Sequence, residues 1–275
     1  MLELIIDSGG TKSDWVLLNG SSMIAQFTTE GMNPVRGDID QVLSTVSFSE
    51  YPDIAEVHFY GAGCSSESLC KKVSTAFSSK LPDSVIRIET DLLAAARALC
   101  QDQPGIIGIL GTGSSICRFD RGLITDGVPS GGYLIGDEGS GFCIGQAIIR
   151  LHLRGNLSSE ERQFVQEIHT GTDLLTLLYS HGQPNALIAS FSKSLSRFSS
   201  LRRQEILKPL FCKMIEKRLI PLNVQSSDKI YFVGSIAFHY QKELQDALNS
   251  FNLQVEKIAS SPIEGLIQYH IEHKL

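Results

Sequence analysis

The feature that most constrains the fold of this chain is an order of predicted strands and helices that occurs twice. In the first half, apolar runs and turn signals predict three strands joined by tight turns, then helix, strand, helix, strand and helix. The predicted segments are 2–6, 14–18, 23–28, 38–46, 55–60, 65–78, 85–89 and 91–100. Asn19-Gly20 is a strong hairpin signal between the second and third strands, and Asp38 is a predicted N-cap.

The same order begins again near residue 105. Strands are predicted at 105–110, 115–119 and 123–125, followed by a mostly helical insertion at about 127–200. A helix at about 203–219, a strand at 229–233, a helix at 236–248, a strand at 253–258 and a last helix from 262 complete the repeat. We therefore expect two α/β domains, 1–105 and 106–262, with the last helix, 262–275, as a candidate to pack back on the first. Two similar halves with a cleft between them would suit closure around a ligand.

Composition excludes several classes of function. The chain has 275 residues, 42% of them hydrophobic, and its 24 Lys and Arg against 30 Asp and Glu give a formal charge of −6. Because phosphate neutralisation by basic side chains supplies most nucleic-acid affinity, an acidic chain without a basic run is a poor nucleic-acid binder. The longest apolar stretch, around 105–110, is far shorter than the roughly 20 residues that span a bilayer.

The N-terminal segment lacks the basic region of a signal peptide, and the six cysteines are scattered without a C-x-x-C pair. Reduced thiols are favoured over a disulfide or metal framework. We expect a cytoplasmic protein without nucleic-acid or membrane partners.

Two glycine-rich turns occupy equivalent positions in the two halves, after the first strand of each. They read Asp7-Ser-Gly-Gly-Thr-Lys12 and Gly111-Thr-Gly-Ser114, and neither is a P-loop or a dinucleotide fingerprint. Glycines let the backbone approach a ligand closely, and consecutive N–H groups with nearby hydroxyls can hold phosphate oxygens. Either turn alone would suggest only a tight hairpin, but the pair at equivalent positions favours phosphate binding.

Two further segments, Gly136-Asp-Glu-Gly-Ser-Gly141 and Gly234-Ser-Ile-Ala237, complete a family pattern. Together the four segments resemble the phosphate-1, phosphate-2, connecting and adenosine motifs of the actin-like, sugar-kinase and Hsp70 ATPase fold. Within that fold the chain resembles the BadF/BadG/BcrA/BcrD ATPase family, and most closely its N-acetylglucosamine kinases, from residue 2 to about 270. The resemblance implies duplicated ribonuclease-H-like domains, each a five-stranded mixed sheet with flanking helices, around an interdomain cleft.

The resemblance also implies ATP and Mg²⁺ as cofactors and assigns residues to them. Asp7 would help to hold hydrated Mg²⁺. The remaining nucleotide residues would be Gly9, Gly10, Thr11 and Lys12 along the β- and γ-phosphates, Thr112 and Gly113 from the other half, and Gly234 and Ser235 at the adenosine. For Gly234, a plain glycine turn between a strand and a helix is the alternative interpretation.

Asp91, at a predicted junction of strand and helix, is the candidate catalytic base. In related kinases an aspartate at this place accepts the proton of the attacking sugar hydroxyl. The alternative is a carboxylate that complements the helix dipole, and the two are compatible because the dipole would keep Asp91 ionised.

The sugar contacts implied by the resemblance are Asn33, Gly131, Gly132, Tyr133 and Asp137, together with Asp91. Asp137 has a rival interpretation as the cap of a helix starting near residue 139. The family often has tryptophan at the position of Tyr133, so the identity of the sugar stays open.

The predicted function is an ATP-dependent kinase acting on the 6-hydroxyl of N-acetylglucosamine or a related amino sugar, in a homodimer. One alternative is an ATPase activator subunit of a dehydratase or reductase, whose iron–sulfur cluster would need two thiolates from each of two chains. Another is a non-catalytic sugar-sensing regulator. The seven histidines show no metal-ligand spacing, and Arg202-Arg203 and the segment 213–218 are predicted to be solvated helix faces.

Overall fold

The computed structural model describes residues 1–35, 37, 39–169 and 173–273. The chain divides into unit 1, Met1–Gln103 with Ser261–Leu275, and unit 2, Pro104–Ser260. Asp38, the predicted N-cap, and the last two residues of the predicted helix 262–275 lie outside the described residues. Within the described ranges, no helix combines the length and the apolar character needed to cross a bilayer.

Unit 1 contains five strands and four α-helices in its described part. The strands are β1 (Leu2–Ser8), β2 (Lys12–Asn19), β3 (Ser22–Glu30), β4 (Ile54–Gly61) and β5 (Val85–Thr90). Three of the helices are α1 (Ile39–Leu43), α2 (Glu67–Lys80) and α3 (Asp91–Cys100), with a short 3₁₀ helix at Phe48–Glu50. The fourth is the last helix of the chain, Ile263–Glu272.

Unit 2 repeats this arrangement and has additional helices after its third strand. Its strands are β6 (Gly105–Leu110), β7 (Ser114–Asp120), β8 (Leu123–Val128), β9 (Ile230–Val233) and β10 (Val255–Ala259). Its α-helices are α4 (Gly132–Ile135), α5 (Gly141–Leu153), α6 (Ser159–Gln166), α7 (Leu174–Ser180), α8 (Pro184–Ser190), α9 (Ser200–Met214), α10 (Ser235–His239) and α11 (Gln241–Asn249), and the final helix of unit 1 is α12 (Ile263–Glu272). Short 3₁₀ helices cover Phe191–Arg197 and Ile220–Leu222.

Both sheets have the same mixed topology. The strand order is β3-β2-β1-β4-β5 in unit 1 and β10-β9-β6-β7-β8 in unit 2. In each sheet the three consecutive strands pair antiparallel, and the two later strands pair parallel with the first or with each other. The duplicated fold with two five-stranded mixed sheets is therefore confirmed.

The sheet of unit 1 is covered on both faces, which explains its apolar strands. Leu4, Ile6 and Trp15 pack with residues of α1 and α2, whereas the alternate residues Ile5 and Val16 pack with α3 and α12. A Cβ on Gly265 would lie 2.2 Å from the carbonyl oxygen of Ala98, so this glycine permits the close approach of α12 to α3. The last helix therefore packs within unit 1.

Two predicted helices in unit 2 differ in detail from the structure. The helix predicted at 236–248 is interrupted at Tyr240, which leaves helical geometry (φ −115°, ψ 32°) and donates its hydroxyl to the carbonyl of Ser192 at 2.7 Å. The helix predicted at about 203–219 becomes a π-helix at Ile215–Leu219. Tertiary contacts such as that of Tyr240 with Ser192 can override local helix propensity, and the local sequence pattern does not show them.

Candidate active site

The first glycine turn is held by its own backbone and by the chain that follows β3. The N–H of Gly9 donates to the carbonyl of Lys12 at 2.9 Å, and that of Gly31 donates to the carbonyl of Thr11 at 3.0 Å. A Cβ on Gly31 would lie 2.4 Å from the Gly9 carbonyl oxygen and 2.8 Å from the Thr11 nitrogen. At Gly10, by contrast, a Cβ would meet nothing within 4 Å. The turn is therefore closed on the side of Gly31 and open at Gly10.

Gly31→Ala is expected to distort the first glycine turn, because the added methyl group meets backbone atoms that have no side-chain freedom. Overpacking of this kind costs about 1–3 kcal/mol of the free energy of unfolding. Thermal or denaturant unfolding measures this change, and nucleotide affinity should fall with it. Gly182→Ala is the matched control, since a Cβ there meets nothing within 4 Å. Equal stability of the two variants would contradict this role of Gly31.

Three carboxylates lie near the carboxyl ends of the parallel strands of unit 1. Asp7 near the end of β1 pairs with Tyr60 on β4, and Gly61 pairs with Thr90, the residue before Asp91. Asp14 pairs with Asp7 across the antiparallel ladder, and its Oδ1 forms an ion pair with Lys12 Nζ at 2.7 Å. The register thus brings Asp7, Asp14 and Asp91 to one edge of the sheet.

The electrostatics of this edge favour a bound cation. Burial, followed by repulsion from Asp91 and then Asp14, raises the pKa of Asp7 to about 8, against the opposing effect of Lys12. A hard cation such as Mg²⁺ prefers oxygen ligands and would relieve this repulsion. The residues present therefore fit the magnesium ion that the resemblance implies.

Asp91 is the first residue of α3. The Thr90 hydroxyl oxygen accepts from the Leu93 N–H at 3.2 Å, and Asp91 Oδ1 accepts from the Leu92 N–H at 2.9 Å. Burial raises the pKa of Asp91 to about 6, although its backbone hydrogen bonds lower it. The helix start was expected to keep Asp91 ionised, and its N–H groups do lower the pKa, but burial has the larger effect and raises it. At pH 7 most of the carboxylate is still ionised, and a pKa near the working pH suits a general base.

Asn33 lies beside the loop that follows β4. Its Oδ1 accepts from the Val35 N–H at 2.9 Å, and a Cβ on Gly63 (φ +87°) would lie 2.6 Å from that same oxygen. Gly63 therefore allows Asn33 to approach, and sequence reasoning did not assign it a role.

The second glycine turn rests on the first turn of α5. The Gly111 N–H donates to the Gly113 carbonyl at 3.0 Å, while the Gly111 and Thr112 carbonyls accept from the N–H groups of Gly141 and Phe142 at 2.8 and 3.0 Å. Because N–H groups at a helix start lack intrahelical partners, they are available to fix the turn. The turn is thereby fastened to a rigid helix.

Asp137 braces this second turn. It is 7% exposed, its Oδ1 accepts from the Ser114 N–H at 3.2 Å, and a Cβ on Gly113 would lie 2.9 Å from its Oδ2. Its interpretation as a helix cap is wrong: α5 begins at Gly141, and the cap is Ser140, whose hydroxyl oxygen accepts from the Cys143 N–H at 3.1 Å. Ser140, which directly precedes the helix, occupies the N-cap position instead of Asp137.

The remaining predicted site residues of unit 2 lie near this turn or near the helix that supports it. Gly234 (φ +112°) precedes Ser235 at the start of α10, and a Cβ on Gly234 would lie 2.4 Å from the Leu110 carbonyl oxygen. Gly131 and Gly132 have φ of +70° and +64° and introduce α4, in which the half-exposed Tyr133 ring contacts Phe142 edge-on at 5.3 Å. Thus Gly234 lies next to the second turn and Tyr133 packs on the helix that supports it.

Arg218 corrects a prediction about a solvated helix face. It is 2% exposed, donates from Nη2 to the Val128 carbonyl at 2.8 Å, and places Nη1 3.8 Å from Glu138 Oε2. Arg203 is also paired, with the buried Glu243 at 2.9 Å. The sequence around a basic helix residue does not show whether a carboxylate elsewhere in the chain pairs with it. The burial of Arg218, next to the segment that contains Asp137, was therefore not predicted.

Comparisons with known proteins identify the family and the fold of the chain. The model of the BadF/BadG/BcrA/BcrD ATPase family matches residues 6–267. A Porphyromonas gingivalis protein, provisionally assigned as an N-acetylglucosamine kinase, is 32% identical, with 99% of each chain covered and a TM-score of 0.90. A search of curated proteins found no match.

Two more distant structures share the fold. A Chromobacterium violaceum protein with the same provisional assignment is 18% identical over 98% of each chain, with a TM-score of 0.76. A glucokinase of the ROK family from Streptomyces griseus, solved with glucose and AMPPNP, is 14% identical over 98% of each chain, with a TM-score of 0.57. The actin-like kinase fold, the two glycine turns and the family match together show that the chain belongs to the BadF/BadG/BcrA/BcrD ATPase family.

Proposed function

We propose that this protein is an ATP-dependent sugar kinase that transfers the γ-phosphate of ATP to the 6-hydroxyl of N-acetylglucosamine or a related amino sugar. The observation that carries the proposal is Asp91, a carboxylate with a pKa raised to about 6 at the same sheet edge as Asp7 and the first glycine turn. Membership of the family and the 32% identical relative support the choice of reaction.

Each unit supplies a turn whose backbone suits phosphate. We assign Gly9, Gly10, Thr11 and Lys12 to the β- and γ-phosphates, Thr112 and Gly113 to the phosphates from unit 2, and Gly234 and Ser235 to the adenosine. Asp7 would hold Mg²⁺ through water, and the ion when bound would neutralise charge on the phosphates. In phosphoryl transfer, positioning and charge neutralisation supply most of the rate enhancement.

Asp91 has the role of general base. Its carboxylate accepts the proton of the 6-hydroxyl while the oxygen of that hydroxyl bonds to the γ-phosphorus, and the bond from that phosphorus to the bridging oxygen of ADP breaks. Asn33, Gly131, Gly132, Tyr133 and Asp137 are the proposed sugar contacts. For Asp137, the buried hydrogen bond to Ser114 adds a second role, holding the second turn in place.

The activator alternative is weakened by the environment of the thiols. All six cysteines lie in the described part of the chain, and each is buried or half-buried. Burial raises the pKa of Cys64 to about 12, which opposes the thiolate that a cluster requires. A cluster shared between two chains would instead need accessible cysteines on the surface of each.

The function is tested by measuring ADP release from Mg-ATP with N-acetylglucosamine, N-acetylmuramic acid, N-acetylmannosamine, glucosamine or glucose. We expect release that depends on one amino sugar. Slow release that no sugar changes would contradict the kinase and favour a sensor, and iron in anaerobically purified protein would favour the activator.

A further inference from the structure

A cluster of two imidazoles and a carboxylate lies inside unit 1, away from the glycine turn. Glu3 comes from β1, His58 from β4 and His270 from α12. Glu3 precedes Asp7 by four residues, which is about 13 Å along a strand. The cluster therefore lies toward the other end of β1 from the proposed magnesium site.

The ligand atoms of the cluster converge on a small volume. Glu3 Oε1 is 2.6 Å from His270 Nδ1 and 3.4 Å from His58 Nε2, and all three atoms lie within 4.8 Å of one another. The side chains of Glu3, His58 and His270 are 12%, 14% and 7% exposed. Ligand atoms about 2.1 Å from a tetrahedral zinc ion are roughly 3.4 Å apart, so the separation of Glu3 from His58 already fits.

Residues around the cluster hold its side chains in position, as the residues around the ligands of a metal site do. His270 Nε2, the nitrogen facing away from Glu3, lies 3.0 Å from the Tyr60 hydroxyl, which accepts from Arg97 Nη1 at 2.8 Å. A fixed partner on the second ring nitrogen is typical of histidines that bind metals. Glu56 Oε2 lies 3.1 Å from His58 Nε2 and 3.6 Å from Arg87 Nε, so this half-exposed carboxylate borders the cluster and is not one of its three converging ligands.

The charges of the cluster also suit a cation. Glu3 places a carboxylate within the cluster, and Glu56 places a second carboxylate beside it, where Arg87 Nε lies 3.6 Å from Glu56 Oε2.

The geometry points to a structural binding site for a divalent transition-metal ion, with zinc the best match, formed by Glu3, His58 and His270 and completed by a water molecule. Two imidazole nitrogens with carboxylate oxygens are a donor set that zinc accepts and that magnesium does not prefer. Binding requires the hydrogen bond between Glu3 and His270 to open by less than about 1 Å. The bound ion would fasten α12 to β1 and β4, and so join the last helix to the first strands of unit 1.

The site is tested by zinc binding to the full chain after treatment with a chelator. The stripped protein is titrated with Zn²⁺ in excess Mg²⁺, which keeps zinc from the carboxylates around Asp7. Bound metal is counted by elemental analysis and the midpoint of thermal unfolding is recorded. We expect one zinc per chain and a higher midpoint with zinc. Co²⁺, used as a second probe, should give the visible absorption of a tetrahedral nitrogen and oxygen site.

Variants then locate the ion. His58→Gln, His270→Gln and Glu3→Gln should each weaken zinc affinity by at least about tenfold, whereas His239→Gln, which changes an exposed histidine of unit 2, should not. Glu3→Gln retains the shape of the side chain, so it still tests the site if the histidine variants do not fold. Absence of zinc binding by the wild-type chain would overturn the site and show a cluster held by hydrogen bonds alone. Equal zinc binding by the wild type and the folded variants would overturn it as well.

Discussion

Asp91→Asn is expected to reduce sugar-dependent ADP release by about 10²–10⁴-fold, the contribution typical of a positioned general base. The amide is similar in size and cannot accept the hydroxyl proton at neutral pH. Because Asp91 is assigned to the sugar hydroxyl rather than to the nucleotide, the dissociation constant of Mg-ATP should change by less than about threefold, or about 0.7 kcal/mol. Steady-state kinetics and equilibrium nucleotide binding measure the two effects separately.

The matched control for this variant is Asp83→Asn, the same chemical change at an exposed turn of unit 1. It should retain both activity and nucleotide binding. If Asp91→Asn loses nucleotide binding as severely as it loses turnover, Asp91 is not the base but part of the nucleotide or metal site.

The pH profile of the wild type gives this prediction a second readout. Because burial raises the pKa of Asp91 to about 6, the base is ionised above that pH and becomes protonated as the pH falls through it. The turnover number with saturating Mg-ATP and sugar should therefore decrease on the acid side, around pH 6. A profile that is flat down to pH 4.5, near the ordinary range of a carboxyl, would contradict the assignment.

Gly10→Val is expected to weaken the affinity for Mg-ATP by at least about tenfold, or about 1.4 kcal/mol. A Cβ at Gly10 meets nothing within 4 Å, so the larger side chain does not clash with the protein itself. It would instead occupy the space in which we place the β- and γ-phosphates. Calorimetric titration with a non-hydrolysable ATP analogue measures the loss.

Gly182→Val is the control for Gly10→Val, since Gly182 is also open and neither residue has a positive φ. Both variants should unfold at similar temperatures, but only Gly10→Val should lose affinity. Unchanged affinity in Gly10→Val would contradict the placement of phosphate at the first glycine turn.

The strands and the two turns were predictable from the sequence because their signals are local. Apolar runs ended by turn residues reproduce the order of β1 to β10, and the repeated order predicts the duplicated sheets. The position of Asp91 between a strand and a helix was also predictable, because an apolar run is followed at once by an acidic residue and an alanine-rich helix, whereas its catalytic role stays a prediction. In each case, neighbouring residues determine the structure.

The environments of Gly31, Arg218 and His270 depend on contacts between distant parts of the chain, which local sequence signals do not show. The need for glycine at residue 31 comes from the backbone of Gly9 and Thr11, which reaches it only after β3 pairs with β2. Arg218 is buried by contacts with Val128 and Glu138, far earlier in the chain. His270 meets Glu3 and His58 only through the packing of α12, so spacing of histidines in the sequence could not reveal the cluster.

The proposed reaction is tested most directly by identifying its product from Mg-ATP and N-acetylglucosamine by phosphorus NMR. We predict a phosphomonoester signal coupled to the hydrogens of C6, formed in equal amount with ADP and at least about 10²-fold more slowly with Asp91→Asn. Inorganic phosphate and ADP as the only products, with every amino sugar offered, would contradict a sugar kinase.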